Sequence, residues 1–177
     1  MNNIIQFIPC STLDAKSNLH NFVSWAKTIQ PPFGVETNRF DDDAWSISAL
    51  IRKGGSNKFI YFGELGFNAR VQANRKRDGS PAVVPEERRL PEPFRSFAKG
   101  LLQYLHLQHK TTSVPGRLIS LRYLAAALYE VNDSTCPTAV TPEVMNRALA
   151  LAIEGQGTHS AYAIGVHLTT RYRVMVE

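Results

Sequence analysis

The strongest constraint on this chain is the stretch from Pro91 to Glu177, where four amphipathic helical patterns follow one another with short breaks. In the first, Phe94, Phe97, Ala98, Leu101, Leu102 and Leu105 recur at the three-and-four spacing of a buried helical stripe. Residues 111–116 read as a loop from their threonine, serine, proline and glycine content. The second pattern runs from about Gly116 to Val131, with Leu118, Leu121, Ala125 and Leu128 on one side. Thr141, Pro142 and Glu143 open the third as N-cap, first helical residue and first-turn acid. Its stripe is Val144, Ala148, Leu151 and Ala152. Gly155 and Gly157 break it, and Thr158 caps a fourth pattern carrying Tyr162, Ile164, Val166 and Leu168. The last residues, Arg171 to Glu177, carry no helix stop, so the chain is expected to be cut from a longer protein.

The N-terminal half has a different rhythm. Ser11 to Asp14 reads as a capping box, followed by a helical stripe of Leu19, Phe22, Val23, Ala26 and Ile29 that Pro31 and Pro32 end. Trp45, Ile47, Ala49 and Ile51 alternate with mostly polar neighbours, as in a half-buried strand. Turn chemistry at 52–58 leads to a second strand at Phe59 to Phe62, and a third is expected around Ala69 to Gln72. One hairpin is marginal in water, so it should pack on the first helix or on the C-terminal helices. The expected fold class is α+β. An N-terminal unit, a helix plus a β-hairpin, spans residues 1–80; a linker rich in Pro, Glu and Arg follows at 81–93, and a helical domain at 94–177.

Of the 177 residues 44% are apolar, yet no apolar run approaches the 18 needed to cross a membrane, and residues 1–9 lack the pattern of a signal peptide. Cys10 and Cys136 stand alone, with no CxxC and no His at metal spacing, so no zinc site is expected and the thiols suit a reducing cytoplasm. No phosphate-loop or dinucleotide motif occurs, and no cofactor is expected. Asp41, Asp42 and Asp43 could invite a metal, but three consecutive carboxylates cannot all point one way. They are expected to cap or precede the strand at Trp45.

The net charge is +5, and its placement matters more than its size. Residues 44–90 hold nine basic against four acidic side chains, densest at Arg75, Lys76 and Arg77 before Gly79. A basic loop of this kind suits phosphate contact, because each neutralised phosphate releases counterions. Lys99, Gln103, His106 and Lys110 advance by four, three and four, the spacing of one exposed helical face. Arg117 and Arg122 follow in the next helix, and no acidic residue stands between Arg95 and Glu130. A neutral scaffold would intersperse the two signs. These nine residues are the candidate contacts to double-stranded DNA.

Three pieces carry a family resemblance: residues 97–106 (FAKGLLQYLH), 117–128 (RLISLRYLAAAL) and 144–152 (VMNRALALA). In the order and lengths of its helices, the segment 94–177 resembles the core-binding domain of tyrosine recombinases of the phage-integrase type. The resemblance implies a four-helix, SAM-like bundle that clamps one face of the duplex at a crossover site during DNA integration, beside other copies of the parent recombinase. The family's catalytic set is a tyrosine nucleophile, two arginines, a lysine and a histidine around the scissile phosphate. Its His-x-x-Arg motif does not occur here: His167 and Arg171 are one residue too far apart, and Tyr172 sits in the fourth helical pattern. The chain is therefore expected to bind DNA without cutting it, with no catalytic residue of its own. The competing reading is a protein–protein interaction module, with Phe59, Tyr61, Phe62 and Phe67 as exposed anchors.

Overall fold

A computed structural model describes residues 7–51, 58–67, 79–108 and 113–176; within the last helix it describes the side chains of residues 160–169. Among the described residues, five α-helices and a two-stranded antiparallel sheet make an α+β fold. Helix α1 spans Ala15–Thr28 and strands β1 and β2 span Ala44–Ser46 and Phe59–Tyr61. Helices α2 (Phe94–Leu107), α3 (Val114–Asn132), α4 (Pro142–Gln156) and α5 (Thr158–Val176) follow. Among the described residues no helix is long and apolar enough to cross a membrane.

The helix ends follow local chemistry. Thr141 caps α4 by accepting from the Val144 amide at 3.3 Å, with Pro142 in the first turn, as its residue types predict. Gly157, at φ 76°, ends α4 where an L side chain would be strained, and α5 starts at the next residue. At α1 the expected cap is displaced by three residues. Asp14, not Ser11, is the N-cap, because its carboxylate accepts from both the amide (2.9 Å) and the hydroxyl (3.2 Å) of Ser17. Strand β1 is also shorter than the alternation of Trp45 to Ile51 suggests: the Leu50 amide turns back to the Ile47 carbonyl. The third strand expected around 69–72 lies outside the described residues.

Packing joins what the sequence separates. Helices α3, α4 and α5 pack on one another, while α2 packs mainly along α1 and less on α3. The α1–α2 approach is close: a Cβ on Gly100 would sit 2.9 Å from the Phe22 ring. One apolar core runs without a break from Ala26 through Trp45, Phe62 and Leu90 to Leu168. The expected linker 81–93 is part of this body. Ala82, Val84 and Leu90 are buried, the Leu90 amide donates to the Phe62 carbonyl, and Gly63 bridges Arg89. Strands of three residues cannot bury a face by themselves, so β2 packs on α3 and the segment that follows the hairpin bonds back to its end.

Candidate nucleic-acid interface

Helix α2 does not present the expected polar face. Phe94, Phe97, Ala98, Leu101, Leu102 and Leu105 are buried, and so are Lys99 (3% exposed) and Gln103 (1%). The face that carries them is covered by α1 and by the loop before β1. Gln103 Nε2 donates to the Ile29 carbonyl at 2.6 Å and so closes the end of α1. The His106 ring meets Phe33 edge-on at 5.3 Å. Lys99 Nζ lies among the rings of Phe62, Phe40 and Trp45. Lys110, Arg75, Lys76 and Arg77 lie outside the described residues. The interior positions of Lys99 and Gln103 overturn the solvated-face expectation for both. The physical reason is that α2 is the central helix, and its long polar side chains reach backbone and ring partners across the α1 and loop contacts.

The two arginines of α3 have another environment. Arg117 is 9% exposed, its guanidinium makes no ion pair among the described residues, and its Nε has no hydrogen-bond partner. Burial holds its pKa below the usual arginine value. Arg122 donates from Nη2 to the Tyr61 carbonyl at 2.6 Å, and burial pushes it down to about 10. Among the described residues, neither Arg117 nor Arg122 is thus paired with a carboxylate. Arg117 belongs to the first turns of a 19-residue helix, where the backbone amides and the dipole favour an anion. Ser113 is the N-cap, yet its hydroxyl caps no amide. A Cβ on Gly116 would stand 2.6 Å from Ser113 Oγ and 3.4 Å from His167 Nε2. With no side chain at Gly116, the Ser113 hydroxyl and the His167 imidazole of α5 both stand beside the start of α3. Sequence reasoning picks out Arg117 here and misses Ser113, Gly116 and His167 as one corner, since only the α3–α5 crossing brings His167 in.

Carboxylates are committed elsewhere. Asp43 takes Arg89 at 2.7 Å and Arg95 at 3.0 Å, while Asp42 accepts from the Arg39 amide and Asp41 lies 3.9 Å from Lys27. The triplet therefore points three ways, as consecutive carboxylates must. Glu92 takes Arg95 and the Ser96 amide; burial acts to raise its pKa, and these hydrogen bonds outweigh it and hold it low. Among the described residues no cluster of His, Cys, Asp and Glu is arranged to hold a metal. A cleft of about 510 Å³ lies between the loop before β1 and the segment 80–84, with Asp42, Asp43, Phe59 and Val84 in its wall. Both of its carboxylates are already partnered, so it offers no ready general base.

The anchor residues expected of an interaction module are mostly interior. Phe62 (0% exposed) and Phe67 (7%) are buried, and Phe59 and Tyr61 are partly covered. Exposed apolar side chains stand instead on α4 and α5, at Leu149, Ile153, Tyr162 and Val166. Comparison with protein-family models, with curated proteins and with solved structures finds no match.

Proposed function

We propose that this chain binds double-stranded DNA through the phosphate backbone, as the non-catalytic, core-binding part of a tyrosine-recombinase-like protein whose helices α2–α5 take the SAM-like arrangement. The observation that supports it is the uncancelled positive charge on α3. Arg117 and Arg122 form no ion pair among the described residues, and the sequence holds no acidic residue between Arg95 and Glu130. In this reading a phosphate sits at the α3 start, near Ser113 and His167, with Arg117 beside it. The basic residues Lys110, Arg75, Lys76 and Arg77 add contacts that position the duplex without reading its sequence. Lys99 takes no part.

The test is a salt series on random duplex, read by fluorescence anisotropy. Affinity near 10⁻⁴ to 10⁻⁶ M at physiological salt is the order expected of non-specific binding. Replacing Lys110 with Ala or Arg117 with Gln should flatten the salt slope by about one unit per lost phosphate contact. Lys99→Met should leave affinity and slope unchanged. A suicide duplex should yield no covalent protein–DNA adduct. A flat response to salt, or variants identical to the parent, defeats the proposal. The interaction-module reading then stands on the exposed Leu149, Ile153, Tyr162 and Val166, whose apolar contacts would be insensitive to salt.

A further inference from the structure

The geometry points to a pH-sensitive seam between the N-terminal unit and α2: the Lys99 amine changes charge inside an aromatic cage, and the unit grips α2 more tightly once that charge is gone. Lys99 projects from α2, whereas the cage belongs to the other side of the seam. Its Nζ lies 5.0 Å from the centroid of Phe62, 5.7 Å from Phe40 and 6.0 Å from Trp45. Trp45 and Phe62 are wholly buried and Lys99 nearly so. Among the described residues no oxygen accepts a hydrogen bond from this amine and no carboxylate pairs with it. An ammonium ion in such a place has exchanged most of its water for ring faces.

The charged groups around the cage divide in their effect. Asp43, Glu92 and Asp41 favour the ammonium form, and Arg95 opposes it. Lys27 shares the Phe40 ring, 5.6 Å from its centroid. The most influential carboxylate, Asp43, is already taken by Arg89 and Arg95, and Glu92 by Arg95. Ring faces attract a cation, but desolvation is the larger effect. Burial pushes the Lys99 ammonium down to about 8. An unfolded lysine titrates near ~10.4. Between these two values the unfolded chain holds a proton that the folded chain has released, so stability rises with pH across that window. Below it both states are charged, and the cost of the buried charge is carried in full. The rise is the opposite of what a lysine in a salt bridge gives. It acts where Trp45 and Phe62 meet Lys99 of α2, beside the larger α1–α2 contact.

The experiment uses the full chain with Cys10 and Cys136 replaced by Ser, which removes both thiols. Trp25→Phe in this background leaves Trp45 as the single indole. Lysine Cε chemical shifts, Trp45 emission and the guanidinium midpoint are followed from pH 7 to 9.5. One lysine should titrate near pH 8, Trp45 emission should follow it, and the denaturation midpoint should climb between pH 8 and 9.5. Lys99→Met should remove the resonance and the climb, and should raise the midpoint at pH 7. Lys99→Arg, which keeps its charge, should lower the midpoint and show no climb. A Lys99 resonance that stays ammonium up to pH 9.5, or a wild-type midpoint that is flat or falls across the window, overturns the inference. Should Lys99→Met fail to fold, the wild-type titration decides by itself.

Discussion

The region before Leu90 is built from rings, and the region after Val114 from alanines and helix backbone. In the first, Phe33, Phe40 and Phe62 surround Trp45 with edge-on contacts of 4.8 to 6.0 Å between centroids. Regular structure is scarce there, so side chains replace the missing ladder. The Asn38 amide donates to the Pro32 and Ser46 carbonyls and accepts from the Ser46 amide, and Trp45 Nε1 donates to the Arg39 carbonyl. In the second, Ala127, Ala148, Ala152 and Ala161 are almost fully buried and let α3, α4 and α5 approach closely. Helices satisfy their own backbone and need only a small, smooth stripe to meet. A loop-rich unit must satisfy its backbone with chosen side chains and fill its volume with a few large ones. Single substitutions should therefore cost more in the N-terminal region.

The sharpest way to break this comparison is Trp45→Ala. Deleting a buried aromatic of this size costs on the order of 3–5 kcal/mol. Because the apolar core is continuous, the helices should lose stability together with the N-terminal unit. Chemical unfolding followed by far-ultraviolet circular dichroism and by Trp25 emission should give one coincident transition, shifted to lower denaturant. Two separated transitions, with the helical signal unmoved, would show the two regions to be independent domains after all.

The same contrast explains what could be read in advance. The four C-terminal helices were legible because their stripes repeat every three or four residues and because Thr141, Pro142 and Gly157 mark ends by mechanisms that need no tertiary context. The covered side of α2 was not legible. Lys99 and Gln103 count as polar by type, and nothing in the spacing says that their polar ends meet rings and a carbonyl. The one local signal is Gly100, a glycine inside a helix, which tells of a close neighbour on that face. Phe33 (φ 58°) and Asn38 shape the loop before β1 through backbone geometry and side-chain hydrogen bonds, and neither leaves a periodic trace. For the candidate site, α3 supplies Arg117 and Arg122 in plain sequence order, whereas His167 reaches Gly116 only through the helix crossing.

Asn38→Ala sharpens the comparison at the next level of effect. Asn38 is 2% exposed and its amide serves both backbone groups of Ser46. Its removal leaves buried groups unpaired, at a cost of about 1–3 kcal/mol. Amide exchange should accelerate at Ser46 and its neighbours before it does in α3. Equal protection in variant and wild type would mean that water or backbone movement replaces the amide, and that side chains do not hold the loop.

The smallest expected effect belongs to the helical region and uses a capping residue instead of a core one. Thr141 accepts from the Val144 amide at the start of α4, on the surface, with Val144 itself fully buried one turn in. Thr141→Ala should cost about 1 kcal/mol, the usual value for a lost N-cap, and Thr141→Ser should cost much less because the acceptor oxygen is kept. The loss should appear as faster exchange in the first turn of α4 alone, since the intrahelical bonds of the later turns and the Ala148 and Ala152 contacts are untouched. A cost as large as that of Asn38→Ala would mean that α4 depends on one side chain as strongly as the loop before β1 does. The division between a region fixed by individual side chains and a region fixed by helix backbone would then fail at its most exposed point.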